Sequence, residues 1–149
     1  MAGISWADFC NEGLGRLNMM ILRRQSLVSD VVAGLAEHAT ICRPYAQSPA
    51  DSPFFFPIIV DTDRINCSKI EFAEAVRAEG LDLNPHYRFV VDEWPWVQPY
   101  LADGFRTENA RSIRDRTFCL YLNENYGEAE ANDTVEAILK VERHFGKPD

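Results

Sequence analysis

A chain of 149 residues with 46% hydrophobic and 26% charged residues is the size of one domain. It can bury roughly 70% of its unfolded surface, so folding requires no disulfide or metal staple. Its 23 acidic residues against 15 basic ones give a net charge of −8; a phosphate backbone or an anionic lipid surface would be repelled, and neither nucleic acid nor membrane is expected as a partner.

The opening Met1-Ala2-Gly3-Ile4-Ser5-Trp6 has neither the basic nor the apolar part of a signal peptide. No apolar run approaches the ~20 residues that span a bilayer, so a soluble, cytoplasmic protein is expected. Ser5-x-x-Asp8 can cap a short opening helix, interrupted at Gly13 and Gly15, and residues 1–15 read as a possible extra segment. Leu17, Met20, Ile21, Leu27, Val28, Val31, Val32 and Leu35 then share one face of a helix, with Arg23, Arg24, Ser29 and Asp30 mostly opposite. This predicts a long amphipathic helix over about 16–37, with Gly34 weakening its last turn.

Pro44, Pro49 and Pro53 mark residues 38–53 as a loop. Phe54 to Asp61 is a continuous apolar strand in which Pro57 lacks a ladder donor, so an edge position or a bulge is expected. Ser68-x-x-Glu71 is a capping box that opens a helix burying Phe72, Ala73 and Val76, and Gly80 stands where a C-terminal cap belongs. Leu81 to Tyr87 reads as a short strand and completes a strand–helix–strand unit. Residues 88–106, with Trp94, Trp96, Tyr100 and Phe105 among prolines, form an irregular packed loop with at most a helical turn. A short helix at Asn109 to Asp115 and a strand at Thr117 to Leu122 follow. A closing helix capped near Asn125 runs through Val135, Ile138, Leu139, Val141 and Phe145 to Gly146-Lys147-Pro148. The expected fold is α+β: residues 1–149 as a single domain, with a small, mostly antiparallel sheet covered on one face by helices and a long N-terminal helix.

The chemistry is sparse. Cys10, Cys42, Cys67 and Cys119 are scattered and read as small buried hydrophobes with free thiols. His38, His86 and His144 have no second ligand at metal spacing, and Asp61-x-Asp63 lacks the glycine and glutamate of a calcium loop; no metal is expected. No nucleophile elbow, phosphate loop or dinucleotide fingerprint occurs. Asp92 with Glu93, or Glu124 with Glu128, could pair as acid and base, but among 23 carboxylates such neighbours arise by chance and read as solvated surface. Lys69, Lys140 and Lys147 all read as exposed, unlike the water-poor amine that Schiff-base chemistry requires. No catalytic residue is therefore assigned. Two segments stand out at strand ends. Asn84, His86, Tyr87 and Arg88 form either a satisfied turn or a pocket rim, with His86 or Tyr87 donating and Arg88 contacting an anion. Asn123 and Tyr126, beside a capping Asn125, are weaker candidates.

The order of these motifs resembles a known family. Arg23-Arg24-x-x-Leu27 through Leu35 is similar to the helix that enters the small domain of the DegT–StrS sugar aminotransferases, fold-type I enzymes dependent on pyridoxal phosphate (PLP). The Pro-rich loop and aromatic strand resemble its next segment. Phe72-Ala73-x-x-Val76-x-Ala78-Glu79-Gly80-Leu81 followed by His86-Tyr87 resembles that family's helix, turn and His-Tyr signature, and Asn109-Ala110 with the closing strand and helix matches its C-terminal order. The likeness covers residue 16 onward. It departs after His86-Tyr87, where the family continues with a proline and a second histidine and this chain has Arg88-Phe89-Val90. The resemblance implies a C-terminal small domain whose partner is a PLP-binding large domain or a homodimer mate. The cofactor-anchoring lysine, the aspartate facing the pyridine nitrogen and the phosphate site would lie in that large domain. It implies no cofactor bound by this chain alone, PLP in the whole enzyme, and inactivity in isolation. The alternative is a stand-alone protein- or small-molecule-binding module that uses the strand–helix–strand unit and the aromatic loop.

Overall fold

The computed structural model describes residues 6–86, 89–102 and 104–148, and side chains from residue 11 onward. In chain order it contains α1 (Trp6–His38), β1 (Cys42–Pro44), β2 (Phe55–Val60), α2 (Lys69–Ala78), β3 (Leu83–Asn84), α3 (Glu108–Arg116), β4 (Thr117–Tyr121) and α4 (Glu128–Phe145). Single 3-10 turns occur at Thr62–Arg64, Val91–Glu93 and Gln98–Tyr100. No described helix is long and apolar enough to cross a membrane.

The four strands form one antiparallel sheet in the order β1-β2-β4-β3. β2 and β3 therefore run parallel, joined across α2, with β4 inserted between them. Strand alternation places Cys42, Phe56, Ile58, Val60, Leu83, Phe118 and Leu120 on one face. That face meets Leu27, Val28, Val31 and Leu35 of α1, Phe72, Ala73 and Val76 of α2, and Ala131, Val135, Ile138 and Val141 of α4 in one core. Phe72 lies 6.4 Å from Phe118 and 6.3 Å from Phe145, ring centre to ring centre. The expected α+β sheet with helices on its inner face is what the chain forms, and α3, which buries none of its own residues, touches β2 and β4 besides.

Several local expectations are corrected. α1 is not broken at Gly13 and Gly15: it runs through both, and residues 6–15 are its first turns. Each glycine costs about 1 kcal/mol in a helix, too little to stop a run flanked by leucine, arginine and methionine. The region 38–53 is not all loop, because Cys42–Pro44 pairs with Ile58 to Val60. Pro57 is not on an edge: β2 lies between β1 and β4. Its carbonyl accepts from Tyr45 N at 3.0 Å; the reciprocal bond to Tyr45 is the one its missing N–H cannot make, and β1 ends one residue earlier, at Pro44. The strand expected at 81–87 shortens to Leu83–Asn84 because Pro85 ends the pairing. The closing helix is capped at Gly127, whose N–H donates to Glu130 Oε2 at 2.7 Å, whereas Asn125 belongs to the preceding turn. The Ser68–Glu71 capping box forms as expected.

Candidate functional site

The turn after β3 is held from both sides. Asn84 Oδ1 accepts from His86 N at 2.9 Å, closing an Asx turn around Pro85. Lys69, in the first turn of α2, donates from Nζ to the Pro85 carbonyl at 2.8 Å. The Lys69 ammonium is half-buried rather than exposed, which corrects the expectation for this residue. Burial lowers its pKa, with the Asp115 carboxylate opposing. Tyr87 and Arg88 lie outside the described residues, so their expected place on a pocket rim has no geometry here.

The aromatic segment that follows is fastened by ion pairs. Asp92 is buried, and its carboxylate accepts from Thr107 N at 3.0 Å, Thr107 Oγ1 at 2.8 Å and Arg111 Nη2 at 3.0 Å. Burial alone would raise its pKa, but the two Thr107 bonds and the Arg111 guanidinium outweigh it and hold the carboxyl at about 2. Glu93 takes Arg111 Nη1 at 3.0 Å and pairs with Arg114 on its other oxygen. The reading of Asp92 and Glu93 as solvated surface is thereby overturned: both tie the loop to α3. Trp94 is half-buried against Trp96, ring centres 5.3 Å apart, while Trp96 remains 67% exposed.

Asn123 and Tyr126 sit at the other end of the sheet. Asn84 pairs with Cys119 in the middle of β4, four residues before Asn123, and the chain leaves β3 toward the start of β4, away from Asn123; four extended residues span roughly 13 Å. The structure thus separates the two candidate groups. Asn123 Oδ1 accepts from Asn125 N at 2.9 Å, a turn bond. The adjoining Glu124 pairs with Arg24 of α1 at 2.9 Å, and its own N–H together with that guanidinium keeps the carboxyl below the ordinary range. Tyr126 lines a cleft of about 680 Å³ between α1, α4 and the α2–β3 turn. Its floor is apolar, with Val28, Val31, Phe56 and Leu120, and its rim carries Glu79, Asp82, Glu130, Asp133 and Glu136 against Lys140 and Arg143. A smaller cleft of about 470 Å³ beside it is also lined by Tyr126. Asn84 and His86 line neither.

Sequence reasoning missed Glu142. It is buried on α4 and accepts from the backbone N–H groups of Thr40 (3.0 Å), Ile41 (3.2 Å) and Cys42, tying the exit of α1 and the start of β1 to α4. Its signal was available, since Glu142 follows Ile138 by four positions on an otherwise apolar stripe. Burial, reinforced by the Glu142 carboxylate, pushes the Cys42 thiol far up, leaving it an inert core group.

A covalent PLP site requires a sheltered amine facing a cleft and a cradle for phosphate. Lys69 and Lys147 line neither cleft, and their ammonium groups are spent on the carbonyls of Pro85 and Asp63. Lys140 reaches the larger cleft but is exposed and paired with Glu79. These residues do not fit the group. Among the described residues no cluster of His, Cys, Asp and Glu has metal-binding geometry.

A family model described as "DegT/DnrJ/EryC1/StrS aminotransferase family" matches residues 7–139. The fold is similar to that of the aminotransferase TlmJ from Streptoalloteichus hindustanus, at a TM-score of 0.73 and 18% identity over 93% of this chain and 36% of that one. DesV from S. venezuelae gives 0.73 and 18% over 90% and 35%. The E. coli GDP-4-keto-6-deoxy-D-mannose-3-dehydratase, solved with hydrated PLP, gives 0.66 and 15% over 85% and 33%. The chain spans about a third of the length of these solved proteins. No curated protein matches it in sequence.

Proposed function

The chain belongs to the DegT/DnrJ/EryC1/StrS aminotransferase family, and on that premise we propose that it is the C-terminal small domain of a PLP-dependent nucleotide-sugar aminotransferase acting in the cytoplasm. The observation that carries this reading is the match of nearly the whole chain, 93% of it, to about a third of an aminotransferase. Its partner is a PLP-binding large domain, against which the small domain closes. Asn84 and His86, with the neighbouring Tyr87 and Arg88, border the sugar pocket from the end of β3, and Asn123 and Tyr126 contribute less. The environments of the three lysines support the corollary that this chain by itself neither anchors PLP nor transaminates.

The test is to incubate the purified chain with PLP, reduce with borohydride and map adducts by mass spectrometry. Expected is scattered, substoichiometric labelling of lysines. A stoichiometric adduct on Lys69, the half-buried amine, would sink the corollary, as would amino-group turnover by the chain alone. The exposed Trp96, Tyr100 and Phe105 favour a second reading, a protein-binding module, in which an added partner would shield the Trp96 indole from quenchers.

A further inference from the structure

The turn that follows β3 is gripped at a single peptide group. The Pro85 carbonyl and the His86 N–H are the two ends of one planar unit. Lys69 Nζ donates to the carbonyl at 2.8 Å, and Asn84 Oδ1 accepts from the N–H at 2.9 Å. The proline ring fixes its own φ, so these two bonds settle the rotation that remains, and with it the direction in which the His86 side chain leaves the backbone. Pro85 is buried, and a carbonyl there that lost the ammonium would turn toward water, carrying the His86 N–H away from Asn84. Lys69 is an unfavourable choice for helix stability. It opens α2, where the helix dipole repels a cation, and Asp115 stands in the last turn of α3, where the dipole repels an anion. The two act on each other: burial works against the Lys69 ammonium and the Asp115 carboxylate supports it, while Arg114 first and Lys69 after it hold the Asp115 carboxyl below the ordinary range. Arg114 also pairs with Glu93, and Arg111 joins Glu93 to Asp92. Alternating charges thus run from the Pro85 turn across α3 to the aromatic segment, and Tyr87 and Arg88 fall in sequence between the two ends.

We propose that Lys69 is a positioning residue of the sugar pocket: by gripping the Pro85 carbonyl while Asn84 holds the His86 N–H, it aims the His86 side chain at the bound sugar. The proposal rests on the reading of Asn84 and His86 as the pocket's border, and adds to it the group that fixes their geometry from α2. Lys69 acts through the backbone. A guanidinium in its place keeps such a bond, whereas a methionine of similar reach does not.

Nuclear magnetic resonance of the full chain reads the result. In Lys69→Met, which keeps the apolar stem and removes the donor, exchange of the His86 amide should rise roughly tenfold or more and the imidazole resonances should shift. Core amides such as those of Phe118 and Leu120 should keep their protection, and Lys69→Arg should restore the parent values at His86. An unchanged His86 in Lys69→Met overturns the proposal, as does a loss of protection shared by His86 and the core, or a failure of Lys69→Arg to restore it. A titration with UDP-glucose, followed at the His86 ring, separates this inference from the pocket reading. Expected is a response in the parent chain and roughly tenfold weaker binding in Lys69→Met. Equal binding by the two removes Lys69 from the pocket's geometry and leaves the pocket standing. No response at His86 in the parent overturns the pocket reading, and the proposal with it, whatever Lys69→Met does to the turn.

Discussion

At the scale of the residue, the structure spends its charged groups on holding irregular backbone in place. Asp92 is the clearest instance. It lies in a single 3-10 turn between Phe89 and Trp94, outside any helix or strand, and three donors converge on it. Its folded pKa of about 2 lies below the ordinary 3.8. Protonation is therefore harder in the folded protein than in the unfolded chain, and the carboxylate contributes stability that is fully present above 3.8 and fades as pH falls toward 2. Asp92→Asn should lower the melting temperature at neutral pH, and the gap from the parent chain should close through that acid window. A gap that stays constant between neutral pH and pH 2 would mean the anion contributes nothing. None of this was visible beforehand, because Asp92 and Arg111 are nineteen positions apart and no local pattern couples them. The Asn84 turn, by contrast, could be read, since an asparagine before a proline favours a side-chain-capped turn wherever it occurs.

At the scale of the element, legibility followed the range of the interaction that fixes each piece. α2 was readable from its capping box and inward Phe72, Ala73 and Val76, all local signals. The body of α1 and α4 followed from apolar periodicity. β1 did not, because three residues ending in a proline gain strand structure only from β2 beside them. Gly34 shows the same limit. As sequence it is a weak spot in a helix; as structure it is where α1 and α4 approach. A Cβ there would meet Val135 Cγ2 at 2.8 Å and Cγ1 at 3.2 Å, and a β-branched side chain has little freedom to withdraw. Gly34→Ala should therefore destabilise by roughly 1 kcal/mol, the steric cost exceeding the gain in helix propensity. In a double-mutant cycle, Val135→Ala should absorb most of that loss. Denaturant melts of the four proteins give the coupling, and additive effects would show that the two helices do not touch there.

At the scale of the whole molecule, one core serves every element except α3. Its members come from α1 after Leu27, all four strands, α2 and α4, and Glu142 joins the α1–β1 connection to the same unit. Shared burial of this kind couples the elements, so the chain should unfold in a single transition even if it serves as one part of a larger enzyme. The same map divides α1. Residues 11–19 bury nothing and can leave without opening the core, while α4 supplies Ala131, Val135, Ile138 and Val141 and cannot. A chain beginning at Ile21 should keep a cooperative thermal transition within a few degrees of the full chain. One ending at Gly127 should show none, because the faces of α1 and the sheet that α4 covers would meet water. Circular dichroism and calorimetry distinguish the cases. Loss of the transition in the first truncation would show that the projecting half of α1 holds the fold together, and would move the boundary of the folding unit to the helix N-terminus.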